Sequence, residues 1–258
     1  MTAYLMQHVE AFILVLLRMA SFVAASPVFS LRVWPAWAKA GFAAFCAVLV
    51  VPEVSAQPVP PFAQAGRFLG DAAAEVVTGL LLGTAASVVF TAAQMAGQLL
   101  DIQIGYAAAA LFDPVQGQAS GPLANWTTIL FTLYFLGVGG LDGLVLAALH
   151  SYDWVPLGGW RVRAGGVPLV TSILGLAMTG AVEAAAPTLA ALLLLDVTFA
   201  FLSRAVPQLN VFVVSLPVKL LLGLGFCAAT VPALVFTFDA GFRALLQALD
   251  AMLRWMGG

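Results

Sequence analysis

The stretch "QMAGQLLDIQIGYAAAALFDPVQGQASGP", residues 94–122, carries five glutamines and two aspartates. Across the whole chain 62% of residues are apolar and only 9% are charged. On a helix advancing 100° per residue, Gln94, Gln98, Asp101 and Gly105, with Ala108 and Phe112 beyond them, fall within about 40° of one line, while Gln103 projects from the opposite side. A face of amide, amide, carboxylate and then small residues is a poor surface for lipid and a good one for another subunit or a wet cavity. Hydrogen bonds to neighbouring helices of the same chain would satisfy the same groups. The segment "LFDPVQGQASGP" then has to leave the helix, because Asp113 precedes Pro114 and two glycines and a second proline follow. At membrane depth such irregular backbone is tolerated only where it is buried in protein or lines water. It is therefore either a re-entrant loop or a connection at a helix end.

The surroundings of this stretch place the chain in the membrane class. Its 258 residues have a mean hydropathy of +1.04. Six apolar runs, 9–29, 35–51, 68–93, 123–149, 167–202 and 211–238, are each about long enough to cross a hydrocarbon core of about 30 Å as a helix. They are rich in Ala, Leu and Gly and lack the ten-residue alternation of a membrane barrel, so the expected fold class is all-α, of the integral-membrane type. The first run is not read as a cleaved signal peptide, because no Lys or Arg precedes Arg18 and Glu10 stands where a basic region belongs. Lys and Arg are spread thinly between the runs and do not orient the chain. A net charge of -2 gives nucleic acid nothing to bind. Cys46 and Cys227 lie inside apolar runs and read as small buried hydrophobes.

Breaks in the pattern divide the chain. "PEVSAQPVPP", residues 52–61, cannot continue a helix and separates an N-terminal hairpin from the rest. "SYDWVPLGGWRVRAGG", residues 151–166, is a second break, whose Tyr152, Trp154 and Trp160 suit headgroup level as well as an ordinary loop. Two long apolar arms then meet at "SRAVPQLN", a helical hairpin in which Pro207 forces the turn and Gln208 and Asn210 supply its hydrogen bonds. Pro187 is expected to kink or divide the first arm. Residues 240–256 place Phe242, Leu245, Leu246, Leu249, Met252 and Leu253 at helical spacing, an amphipathic helix able to lie on a membrane or dock on a partner. Gly79 and Gly83, in "GLLLG", allow close helix approach.

Arg18, Glu75, Glu183, Asp196 and Lys219 fall in or beside the apolar runs. Five lipid-facing charges would cost on the order of 10 to 15 kcal/mol, comparable with the whole stability of a typical domain at about 5 to 15 kcal/mol. Most must meet protein, water or each other. His8 and His150 stand alone, without metal-ligand spacing. There is no HExxH, GxSxG or phosphate loop, so no catalytic, cofactor or metal residue is implied and the chain reads as a non-enzyme.

Two motifs, "AGQLLDIQIGYAAAALFDP" (96–114) and "RAVPQLNVFVVSLPVKLLLGL" (204–224), resemble the FliR family of type III export-gate subunits, flagellar and injectisome. The early "RMASFVAASPVFS" (18–30) with "VWPAWAKAGFA" (33–43), and the "PLG" at 156–158, extend the resemblance over nearly the whole chain. It implies a core subunit of the export gate in the bacterial inner membrane, at the flagellar basal body, through which unfolded substrates pass. FliP-like and FliQ-like subunits, and FlhB-like and FlhA-like components, are the implied partners beside membrane lipid. It further implies a FliP-like part over 1–158 and a FliQ-like hairpin with a terminal helix over 159–258. The loop after the FDP motif, near 111–121, would plug the channel, and carried over it comprises Leu111, Phe112, Asp113, Pro114, Val115, Gln116 and Gly117, with Phe112 as candidate gasket. Gln94, Gln98, Asp101 and Gly105 would face an interface or the pore. Arg204, Pro207, Gln208 and Asn210 would be structural or interfacial. The rival readings are a small ion-coupled transporter using Glu75, Asp101 and Asp196 at mid-depth, a membrane scaffold without a pore, and an injectisome rather than a flagellar subunit.

Overall fold

The computed structural model describes residues 2–30, 34–54, 64–106, 121–159, 166–208 and 210–257. Among them the regular structure is entirely helical: α1 (Thr2–Ala25), α2 (Pro27–Ser30), α3 (Ala36–Val54), α4 (Ala65–Ile104), α5 (Pro122–Gly137), α6 (Gly140–Trp154), α7 (Gly166–Ala205), α8 (Val211–Ala229) and α9 (Val231–Gly257). The all-α expectation holds. The membrane-crossing geometry is less uniform than six runs imply. Four helices, α1, α3, α4 and α7, are long and apolar enough to cross unbroken, while α5 with α6 and α8 with α9 are pairs bent by 69° and 58°. The first bend falls at Gly139, whose φ of 73° is open to a residue without a Cβ. The second falls at Thr230, whose hydroxyl donates to the Phe226 and Cys227 carbonyls at 2.9 and 3.2 Å and so satisfies acceptors that the broken ladder releases.

α4 and α7, at 40 residues each, are about 60 Å long at 1.5 Å per residue, twice a hydrocarbon core. Pro187 lies inside α7 without dividing it. Pro removes one N–H from the ladder, and a helix long on both sides tolerates that single loss.

The chain forms two compact units, each drawn from separated stretches: Met1–Val89, Val138–Leu174 and Arg243–Gly258 in one, Phe90–Gly137 and Gly175–Phe242 in the other. In the first, α4 lies directly on α1. A Cβ at Gly79 would strike Ser21 Oγ and the Arg18 carbonyl, and one at Gly83 would come within 2.6 Å of the Ala25 Cβ. The "GLLLG" spacing thus serves a contact within the chain. The end of α9 is amphipathic as expected, and its apolar side, Leu245, Leu249, Met252, Leu253 and Met256, is buried. There Arg254 lies 5.3 Å above the Trp154 ring, and Gly257 abuts the Trp154 backbone. Tyr152, which suited headgroup level by its sequence, is instead buried.

The second unit is centred on phenylalanine. Phe90 of α4 packs edge-on against Phe131 and Phe135 of α5, with centroids 4.8 and 5.1 Å apart. Phe238 and Phe242 of α9 close on the same pair at 5.0 and 5.7 Å. Each such contact adds roughly 0.5 to 1.5 kcal/mol beyond area burial. Gly97 lets the α5 backbone approach α4, where the Thr127 hydroxyl donates to the Ala93 carbonyl at 2.9 Å.

Candidate functional site

Of the polar stripe, Asp101 is the most tightly engaged. α5 begins with Pro122 after Gly121: Pro suits the first helical position, and Gly121 has no side chain with which to cap. The Asp101 carboxylate supplies the cap from α4, accepting the Leu123 and Ala124 N–H groups at 3.0 and 2.9 Å. Burial of Asp101 strengthens these charge-assisted bonds. A Cβ at Gly121 would collide with that carboxylate, so the glycine is required for the approach. Gln94 and Gln98, on the same face, are half-buried. α4 ends at Ile104, and Gly105 turns with φ of 101°. Ala108, farther along the same line, lies outside the described residues. Leu111, Phe112, Asp113, Pro114, Val115, Gln116 and Gly117 lie outside the described residues.

The opposite side of α4 also carries polar groups. Gln103 donates to Asp196 Oδ2 at 2.9 Å, and Asp196 forms an ion pair with Lys219 of α8. With the Thr188 and Thr230 hydroxyls 3.0 Å apart, this pair ties α7 to α8 as the antiparallel hairpin read from "SRAVPQLN". At its turn Arg204, Pro207, Gln208 and Asn210 are all exposed. Asn210 contributes through its backbone rather than its side chain: its carbonyl accepts the Val213 and Val214 N–H groups at 3.1 and 3.4 Å, with no side-chain cap.

In the first unit, Arg18 and Glu75 form a buried ion pair, each 1% exposed and 2.5 Å apart between Nε and Oε2. The guanidinium also donates to Glu75 Oε1 at 3.1 Å, Ser151 Oγ at 3.1 Å and the Val155 carbonyl at 2.9 Å. Gly158 N–H donates to Glu75 Oε1 at 2.8 Å, and the Arg18 guanidinium lies 4.1 Å over the Tyr152 ring. α1, α4 and the end of α6 are pinned at one point by groups that leave neither charge bare. Both charges are legible in the sequence, but Val155 and Gly158 are not, because a backbone carbonyl or N–H has no signature in composition, and nothing marks the Ser151 hydroxyl among the chain's other serines. Asp101 had a usable signal: a buried carboxylate near a helix start, "SGPLA", without a capping side chain. Among the described residues no group of three or more His, Cys, Asp or Glu could hold a metal ion.

The model of bacterial export proteins, family 1, matches residues 9–245. The chain belongs to this family. Bacterial export proteins similar to it include the flagellar biosynthetic protein FliR of Bacillus subtilis (strain 168), 30% identical over 81% of this chain and 82% of the relative. The flagellar biosynthetic protein FliR of Escherichia coli (strain K12) is 28% identical, over 84% and 82%. The Yop proteins translocation protein T of Yersinia pestis is 34% identical over 56% of each chain. The family match encloses the Arg18–Glu75 pair, the Asp101 cap, the Asp196–Lys219 tie and the hairpin turn. Membership and long apolar helices together make the chain an all-helical membrane protein of a bacterial export family.

Proposed function

We propose that the chain is a core, non-enzymatic subunit of the flagellar type III protein export gate. In this reading it assembles with FliP-like and FliQ-like subunits, beside FlhB-like and FlhA-like components, in the inner membrane at the flagellar basal body. Unfolded export substrates cross through the channel so formed. The observation that carries the reading is the family match over nearly the whole chain, with relatives named flagellar biosynthetic proteins aligned over some four-fifths of their length. The flagellar form is preferred to the injectisome because the Yersinia relative aligns over only 56% of each chain.

Within the gate, residues 1–158 correspond to a FliP-like part and 159–258 to a FliQ-like hairpin with its terminal helix. The antiparallel pairing of α7 and α8 supports the second correspondence. The segment after the FDP motif, Leu111 to Gly117, acts as plug, with Phe112 as its apolar gasket, and the Gln94, Gln98, Asp101 and Gly105 face leads toward it. An apolar constriction excludes water and ions at rest, because hydration of a narrow apolar passage is unfavourable. Co-expression with the FliP-like and FliQ-like chains tests the assembly: a stable three-component complex is expected, and a chain that purifies alone, monodisperse and folded, overturns it. Deleting residues 115–120 tests the plug. Ion leakage is expected to rise in cells carrying the assembled gate, and an intact, tight gate would refute the assignment.

A further inference from the structure

Glu183 differs from the other charges in the apolar runs. Arg18 and Glu75 engage each other, as do Asp196 and Lys219. Glu183 is exposed, and among the described residues no cation meets it. It lies near the middle of α7, about 26 Å from its start and 33 Å from its end at 1.5 Å per residue. Its neighbours on the same face are Leu176, Thr179, Ala186, Ala190 and Leu194, all exposed. Pro187 adds a second polar feature at the same level. It cannot donate to the carbonyl four residues earlier, which is that of Glu183, so backbone acceptor and carboxylate of one residue both lack a helical donor.

Water does not suit this face, whose flanking leucines are apolar, and hydrocarbon does not suit a carboxylate with an open carbonyl. A second protein chain offering donors suits both. A second copy of this chain lacks the required group: Arg18 and Lys219 are engaged, Arg243, midway along α9, has its own partner, Arg204 ends α7, and the remaining Lys and Arg lie outside the middle of the apolar runs. We propose that the Glu183 face of α7 docks an apolar helix of a different chain, one carrying a lysine or arginine midway along its length. The proposal narrows the hetero-assembly reading above to one face and one partner chemistry, and it rests on that reading for the existence of such a partner.

The test uses the full chain co-expressed with the other chains of its export apparatus. A photo-crosslinking residue at Leu176, Ala190 or Leu194 is expected to join one heterologous helix with a Lys or Arg within one turn of the crosslink. Glu183→Lys is expected to lower recovery of that complex at least about tenfold, since like charges oppose across an interface. Changing the partner's cation to Glu is expected to restore recovery to within about threefold of the original. Glu183→Gln, which keeps the shape and loses the charge, is expected to fall between. If the complex forms but its crosslinked helix has no cation, or Glu183→Leu leaves recovery unchanged, the inference fails while the export-gate reading stands. Crosslinks only to lipid or to a second copy also overturn it. If no hetero-complex forms with any variant, the export-gate reading fails first.

Discussion

Replacing Arg18 with Met tests whether the buried pair is what holds α1, α4 and the end of α6 together. The substitution keeps an unbranched apolar stem and removes the guanidinium. Glu75 Oε2 then loses its 2.5 Å partner, the Val155 carbonyl loses its 2.9 Å donor, and the Tyr152 ring loses its cation at 4.1 Å. Glu75 keeps only the Gly158 N–H among these contacts. Breaking a buried pair from one side typically costs about 3 to 5 kcal/mol, because the remaining charge is stranded. At about 2 to 4 °C per kcal/mol for a chain of this size, the midpoint of thermal unfolding in detergent should fall by about 6 to 20 °C. Glu75→Gln leaves an amide that still accepts from Gly158 and Arg18, so its fall should be smaller. The double variant should be less unstable than the sum of the two singles by more than about 0.5 kcal/mol, as expected for contacting residues. A loss under about 2 °C for Arg18→Met, or strictly additive singles, would refute the pinning role.

Asp101→Ala removes the cap of α5 and should cost about 1 to 2 kcal/mol, with faster hydrogen exchange at the Leu123 and Ala124 amides; unchanged exchange there would count against the cap. Gly79→Leu forces a side chain into Ser21 and the Arg18 carbonyl and should reduce membrane abundance, by the roughly 1 to 3 kcal/mol of overpacking. The control Gly175→Leu meets nothing within 4 Å and should leave abundance unchanged. Asp196→Ala and Lys219→Ala break a half-exposed pair and should each shift the thermal midpoint by at most a few degrees, in line with about 1 kcal/mol or less. A shift as large as that of Arg18→Met would contradict the exposure of this pair.

What sequence made legible follows from what each signal measures. Hydropathy measures transfer from water, so it found the helices and their all-α class but not their breaks. Gly139 and Thr230 interrupt apolar runs without changing their composition. The charges in the runs were legible as demanding partners, and two pairs of them are partnered as that demand requires. Which partners they chose depends on three-dimensional register, and Ser151 and the Gly158 N–H entered the Arg18–Glu75 site that way. The phenylalanines around Phe131 escaped notice because aromatics in a greasy chain carry no periodic mark that separates a packed cluster from a lipid face. Tyr152 is ambiguous in sequence for the same reason. Its hydroxyl finds the Val15 carbonyl at 3.3 Å, a partner that a headgroup would supply equally well.

α4 and α7 expose the limit of hydropathy most sharply, for they match in length and apolar character yet differ in cover: the most apolar membrane-length stretch of α4 is 50% buried and that of α7 only 17%. The distinction is visible in the polar residues. α4 has glycines where it meets α1 and α5, and its Glu75 and Asp101 are both satisfied within the chain. Within the apolar length of α7, before Arg204 at its end, Asp196 is satisfied and Glu183 is bare. An apolar helix that completes its polar bonding internally is finished by its own fold, whereas one that does not is finished by something else. A cysteine at Leu194, 71% exposed, reports which. In membranes of cells expressing this chain alone it should react with a small membrane-permeant maleimide, and in the assembled complex its labelling should fall at least about fivefold as packed side chains exclude the reagent. Equal labelling in both states would mean that the face stays open, and the bareness of α7 would then reflect lipid rather than a missing subunit.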